Sequence, residues 1–187
     1  MDSTPFPFSV ESWSLEEENK EYETPIFNLL EQKLRLDSEG HEGTFYVLDI
    51  PSWVNVIAQT PDREVVLVEQ YRFGTAAPSL EIPGGVCDPG ETPLETAQRE
   101  LLEETGFHSE QWTSLGKVSA NPAIQNNYNY CFLAEECTRE RTQKLDRHER
   151  IIVHIMPYQE FLECVGDGTI DHSIVTAAVA KLLLREM

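Results

Sequence analysis

The 187-residue chain carries 14 Lys and Arg against 33 Asp and Glu, a formal net charge of −19, with 40% apolar and 25% charged residues. Such a composition buries an ordinary hydrophobic core, and the length suits one domain of upper typical size with room for a small appendage. It argues against a duplex nucleic-acid binder, which needs Lys and Arg to displace phosphate counterions, and no apolar run approaches the ~20 residues that span a bilayer.

At the N-terminus, Met1–Val10 has neither a basic n-region nor an apolar h-region and does not read as a signal peptide. The first forty residues are the least regular. Phe6, Phe8 and Trp13 offer apolar anchors, and Glu16–Glu23 is strongly acidic. Ile26–Leu36 reads equally as helix or strand. Strands are predicted over Thr44–Ile50, Val54–Thr60, Glu64–Gln70 and Ser79–Ile82, the last ending at a Pro83-Gly84-Gly85 turn.

The period then changes from 2 to 3.6. Thr92 is placed to cap a helix, Pro93 fits its first position, and Glu95 completes a capping box. Leu94, Ala97, Leu101 and Thr105 share one face, and Gly106 stops the helix. Tyr128–Glu135 and Ile151–Met156 read as strands, and Gln125–Asn127 and Glu140–Arg150 as loops. The Arg139, Arg141, Lys144, Arg147 and Arg150 series is interleaved with acids and forms no basic stripe. Helices are predicted over Tyr158–Val165 and His172–Arg185, separated by Gly166-Asp167-Gly168. Strands and helices mixed in this order predict an α/β sandwich on a mixed sheet. Cysteines 87, 131, 137 and 164 form no Cys-x-x-Cys pair and read as reduced thiols of a cytoplasmic protein.

The chemistry concentrates in Gly84–Phe107. On a helix, Glu100, Glu103 and Glu104 fall within an arc of about 100°. Like charges so crowded repel, and a divalent cation is the natural compensation. Oxygen-only ligands suit Mg²⁺ or Mn²⁺. Gly84 and Gly85 let the backbone turn and approach a ligand, so that a carbonyl of the turn can join the metal shell. Glu91 and Arg99 are placed to pair and hold the loop against the helix. A solvated acidic face is the competing explanation for the glutamates. The full spacing decides against it: Gly-x₅-Glu-x₇-Arg-Glu-aliphatic-x-Glu-Glu-x-Gly-apolar, from Gly85 to Phe107. Seven fixed residues at set offsets arise by chance on the order of 10⁻⁸ per start position.

This pattern resembles the Nudix box, complete and without departure. The resemblance implies a Nudix hydrolase. The implied fold is an α/β/α sandwich with a mixed sheet, a hydrolase domain over 51–187 and a small N-terminal β-rich dimerisation segment over 1–50. It also implies that Glu100, Glu103 and Glu104 bind Mg²⁺ (or Mn²⁺) with the Gly84 carbonyl, and that Arg99 and Glu91 form the orienting pair. Beyond the box, Val68–Arg72, Leu80–Gly85, Pro122, Leu145–Arg150 and Gly168–His172 are similar to the branch that hydrolyses ADP-ribose and other nucleoside diphosphate sugars. Asn121–Gln125 departs from that branch, where many members carry Ser-Pro-Gly and then Ser/Thr-Glu.

By the same resemblance, Glu149 on the loop before the late strand corresponds to the general base, with Glu103 as the competing candidate. Arg72 contacts substrate phosphate or ribose, or makes a strand-edge salt bridge. Glu81 lies near the metal shell or is an ordinary strand-end carboxylate. Trp13, Tyr22, Phe27, Phe45 and Trp53 are candidates to stack on a base. The implied substrate is a nucleoside diphosphate sugar such as ADP-ribose or GDP-mannose, and the implied assembly is a homodimer without membrane or nucleic-acid partners. A dinucleoside polyphosphate hydrolase and a nucleotide sensor without activity remain open alternatives.

Overall fold

The computed structural model of the chain describes residues 7–187. Expectations placed on residues 1–6, including Phe6 as an anchor, lie outside the described residues. Two compact units are present: the chain up to Ile50 with Ala123–Asn126, and Pro51–Pro122 with Asn127–Met187.

The first unit is an antiparallel meander of β1 (Ser14–Glu23), β2 (Asn28–Leu36) and β3 (His41–Asp49). The Ile26–Leu36 ambiguity resolves to a strand, because β2 is paired along both edges. The acidic run, read as irregular, is edge strand β1. Its charges stay in solvent and pair across the ladder, Lys33 with Glu17 at 2.5 Å and Arg35 with Glu16 at 3.0 Å. Exposed pairs of this kind contribute little, because solvent screens them. Residues 123–126 join this unit through backbone: the Leu48 amide donates to the Ile124 carbonyl at 2.7 Å.

The second unit contains β4 (Trp53–Gln59), β5 (Glu64–Arg72), β6 (Ala77–Glu81), β7 (Gly84–Val86), α1 (Pro93–Thr105), β8 (Phe107–His108), β9 (Gln111–Ser119), β10 (Tyr128–Glu135), β11 (Thr138–Arg139), β12 (Ile151–Pro157), α2 (Tyr158–Asp167) and α3 (Ser173–Glu186). Its main sheet runs β12-β5-β4-β10-β9, with β6 on β5 and β7 on β4. The β4–β10 pair is parallel and the other pairs are antiparallel, so the sheet is mixed.

Central strands that read as continuous apolar runs are covered on both faces. Val54, Val56, Ala58, Val66, Phe132 and Ala134 pack with Ala97 and Leu101 of α1. The alternate residues Ile57, Val65, Leu67, Cys131 and Leu133 pack with Phe161 of α2 and Val175, Ala178, Val179 and Leu182 of α3. The period-2 alternation thus builds an α/β/α sandwich. Among the described residues, no helix is long and apolar enough to cross a membrane.

Three sequence readings need correction. Gly84 and Gly85, read as part of a turn after Pro83, instead begin a strand, β7, in which Gly84 pairs with Asn55 and Gly85 with Val54. Helix α2 runs through Gly166 to Asp167 rather than ending at Val165. Strand β9 was not predicted. Its ladder to β10 skips Leu115 between Ser114 and Gly116, and this bulge, with Gly116 at φ 89°, breaks the alternation that would have revealed it.

Candidate active site

The site is built on α1 and the loop before it. Thr92 Oγ1 accepts from the Glu95 amide while the Glu95 carboxylate accepts from the Thr92 amide at 2.8 Å, and Pro93 opens the first turn. Gly106 ends the helix in the left-handed region, φ 76°. Ala97, Leu101 and Thr105 are buried as expected, but Leu94, in the first turn, lies at the surface. The buried stripe fixes the helix rotation and turns the carboxylates toward β7 and the loop.

Arg99 is the hub of that junction. Its Nε and Nη2 donate to the two Glu91 oxygens, both at 2.9 Å, and Nη2 also donates to the Val86 carbonyl at 3.2 Å. Nη1 donates to Glu100 at 2.8 Å and to Glu103 at 3.4 Å. This fork holds the Glu91 carboxyl down at about 2, with the Thr96 hydroxyl assisting. The predicted Arg99–Glu91 pair is therefore formed, and it ties loop to helix.

Glu104 is the buried member, 4% exposed. Its Oε2 accepts from the Gly84 amide at 2.9 Å. Burial pushes its carboxyl up to about 8, and the charges of Glu100 and Glu149 push the same way. Glu100 is also raised, first by burial and then by Glu149 and Glu103, against the pull of Arg99. Glu149, distant in sequence, is thus close enough to act on both. Its Oε2 accepts from the Asp146 amide at 2.8 Å. Glu103 is shared between Arg99 and Lys144, the latter at 3.4 Å.

Among the described residues, no three His, Cys, Asp or Glu side chains already converge as a metal cluster. The donor chemistry nonetheless suits a hard cation. The carboxyls are oxygen-only donors, and the buried Glu104 has a single backbone amide and distant Arg72 against the repulsion of two neighbouring acids. The glycines explain the closeness of this packing. A methyl on Gly84 would strike the Val54 carbonyl, and one on Gly85 would overlap the Glu100 carboxylate. Because Glu100 is the flexible end of a side chain, Gly85→Ala should fold normally and displace that carboxylate. The expected result is a turnover loss of about 10- to 100-fold with an unchanged unfolding temperature.

A cleft of about 210 Å³ opens beside β7 and is lined by Trp53, Asn55, Arg72, Gly85, Val86 and His172 among others. Arg72 makes a two-pronged bond to Glu81, Nε at 2.7 Å and Nη2 at 2.6 Å. Glu81 is 1% exposed. Burial raises its carboxyl, but the Arg72 fork outweighs that and holds it below its usual value. Glu81 is accordingly the buried counter-ion of Arg72, not a free strand-end carboxylate, and Arg72 lies near enough to Glu104 to feel its charge. Of the stacking candidates, Trp53 lines the cleft. Trp13, Tyr22, Phe27 and Phe45 belong to the first unit, where Trp13 meets Phe45 edge-on at 5.4 Å.

Two cleft residues escaped the sequence reading. Asn55 and His172 each have a buried polar atom, Oδ1 and Nδ1, without a hydrogen-bond partner among the described residues. A polar residue inside Trp53-Val54-Asn55-Val56-Ile57 was the available signal for Asn55. Burial, above all, lowers the His172 imidazole below its ordinary value, which favours its neutral form.

Residues 51–175 match the NUDIX domain family. The chain is 31% identical to a methanol dehydrogenase activator of Bacillus methanolicus, over 86% of this chain and 90% of that protein. It is also 31% identical to an ADP-ribose pyrophosphatase of Bacillus subtilis, over 73% of this chain and 74% of that one. A crystal structure of an ADP compounds hydrolase superposes with a TM-score of 0.81 at 23% identity, covering 96% of both chains, which shows the shared fold.

Proposed function

Because the chain belongs to the Nudix family, we propose that it hydrolyses the pyrophosphate bond of ADP-ribose or a related nucleoside diphosphate sugar such as GDP-mannose, releasing nucleoside monophosphate and sugar phosphate. The observation that carries this reading is the complete box helix, whose Glu100, Glu103 and Glu104 stand beside a glycine pair that lines a cleft. A relative named ADP-ribose pyrophosphatase supports the ADP end of that substrate class.

Glu100, Glu103, Glu104 and the Gly84 carbonyl are the residues to hold magnesium, with manganese as a substitute. A bound ion supplies charge neutralisation on the diphosphate and acidifies a water. Arg99, through Glu91 and Val86, keeps the loop in place. Arg72, pre-oriented by Glu81, offers positive charge to a phosphate. Trp53 supplies an apolar wall to the cleft. Glu149 takes the proton from the attacking water. It is favoured over Glu103 because the Glu103 carboxylate is already engaged by two cations.

Residues 1–50 act in this reading as a dimerisation segment, and 51–187 as the hydrolase domain. Support comes from exposed apolar side chains on the three-stranded sheet, Leu15, Tyr22 and Tyr46 among them. The four unpaired thiols suit a cytoplasmic setting.

The test is a substrate panel of ADP-ribose, GDP-mannose, UDP-glucose and a dinucleoside polyphosphate with Mg²⁺, reading monophosphate release. Turnover of a nucleotide sugar is expected to lead. Preference for the polyphosphate would move the assignment to that class, and no turnover of any would favour a binding domain without activity.

A further inference from the structure

We propose that Gln143 is a positioning residue, a clasp that fixes the loop bearing Glu149 to the carboxylate helix. The proposal rests on the reading of Glu149 as the base. An α-helix leaves its last four carbonyls without intrahelical partners. At the end of α1, ending at the Gly106 cap, three of those groups, the Glu103, Glu104 and Gly106 carbonyls, are taken by one returning segment, residues 138–144. Strand β11 pairs with β8 directly after the helix. The Glu140 and Arg141 amides donate to the Gly106 carbonyl at 2.9 and 3.3 Å, and the Lys144 amide donates to the Glu103 carbonyl at 2.9 Å. The approach is so close that a methyl on Gly106 would collide with the Arg141 carbonyl.

Gln143 closes the arrangement. Its Nε2 donates to the Glu104 carbonyl at 2.6 Å and to the Ile151 carbonyl at 3.2 Å. One amide nitrogen therefore joins the last turn of α1 to the first residue of β12. Everything between, residues 144–150, is a loop whose two ends are pinned at that nitrogen. Within it the Glu149 amide donates to the Asp146 carbonyl at 3.1 Å, and the Asp146 amide returns a bond to the Glu149 carboxylate. The clasp thus sets the distance between Glu149 and the glutamates of α1 whose carboxyls feel its charge. Gln is suited to this because a single nitrogen carries two donors. A hydroxyl has one donor, and the flexible Lys ammonium keeps its water.

The experiment combines Gln143→Met, which keeps the volume and removes both donors, with Glu149→Gln. In the otherwise unaltered chain, Gln143→Met should lower kcat by about 10- to 100-fold with KM within about twofold, since a misplaced group loses geometry rather than substrate affinity. In the Glu149→Gln background the same change should alter kcat by less than about twofold, because the two residues act as a unit. Hydrogen exchange of the metal-free protein should speed up at the Glu140, Lys144 and Glu149 amides in Gln143→Met. If Gln143→Met does not fold, Gln143→Asn, one methylene too short to span both carbonyls, carries the test with the same expectations.

Equal losses of kcat in both backgrounds would overturn the positioning role. Unaltered exchange would overturn the clasp, whatever Glu149 does. A Glu149→Gln enzyme with an unimpaired rate would remove the base assignment, and the kinetic part of the proposal with it.

Discussion

Glu104→Gln should give a protein that unfolds at a higher temperature than the parent when metal is absent, yet turns over roughly 10³-fold more slowly, equivalent to about 4 kcal/mol of barrier. The reason is the burial of Glu104 against a single amide and two repelling acids, which raises its carboxyl from 4.5 to about 8. A carboxyl raised in the folded state contributes its full stability below the unfolded value near 4.5 and loses it as pH rises through about 8. At pH 7 the parent chain therefore either takes up a proton on folding or buries a charge, at a cost on the order of 3 kcal/mol.

Glutamine keeps an acceptor for the Gly84 amide and has nothing to titrate. Its advantage should appear above pH 5, grow to about pH 8 and vanish near pH 4. Thermal unfolding in a chelator across that range checks it. Adding Mg²⁺ or Mn²⁺ should then reverse the order, since an ion at 100 times its Kd stabilises a competent site by about 2.7 kcal/mol, and the variant should gain much less. Equal gains in both proteins would place the ion elsewhere. The opposing signs would have one physical cause: carboxylates packed together to share a cation are desolvated and repel one another without it.

The second large effect concerns Arg72. Arg72→Met leaves Glu81, 1% exposed, without its fork. Removing one partner of a buried pair costs about 3–5 kcal/mol, and the partial exposure of Arg72 brings the expectation to about 2–4 kcal/mol. The pH dependence should invert. In the parent, Glu81 is held below its usual value. It stabilises the fold above about 4.5, and that contribution fades as pH falls through the lower folded value. In Arg72→Met the stranded carboxyl is raised instead, so the deficit is largest at neutral pH and shrinks on acidification. Urea unfolding at pH 7 and pH 4.5 checks the inversion. The double variant Arg72→Met, Glu81→Leu should regain most of the loss, because a buried pair replaced by apolar groups is often neutral. Activity should not return with stability, since Arg72 lines the cleft. Recovery of both would reduce Arg72 to a structural role.

What could be read from the chain was local. The capping box, the Gly106 stop and the glutamates of one helical arc are set by residues within a few positions of each other, and the structure has them as read. The apolar runs of β4, β5 and β10 announced buried strands for the same reason. Other features depended on which segments meet. Strand β9 hid behind a bulge, and β1 behind its charges, because an edge strand needs a partner more than an apolar pattern.

Arg72 found Glu81 only because β5 and β6 are paired. Gln143 was one polar residue in a charged loop until the return of that loop brought it onto the end of α1. The sequence by itself determined the acidic helix, its ends and the carboxylates it carries. The tertiary structure alone decided which glutamate is buried, which is neutralised and which distant acid faces them, because burial and charge proximity belong to the packed chain and not to spacing along it.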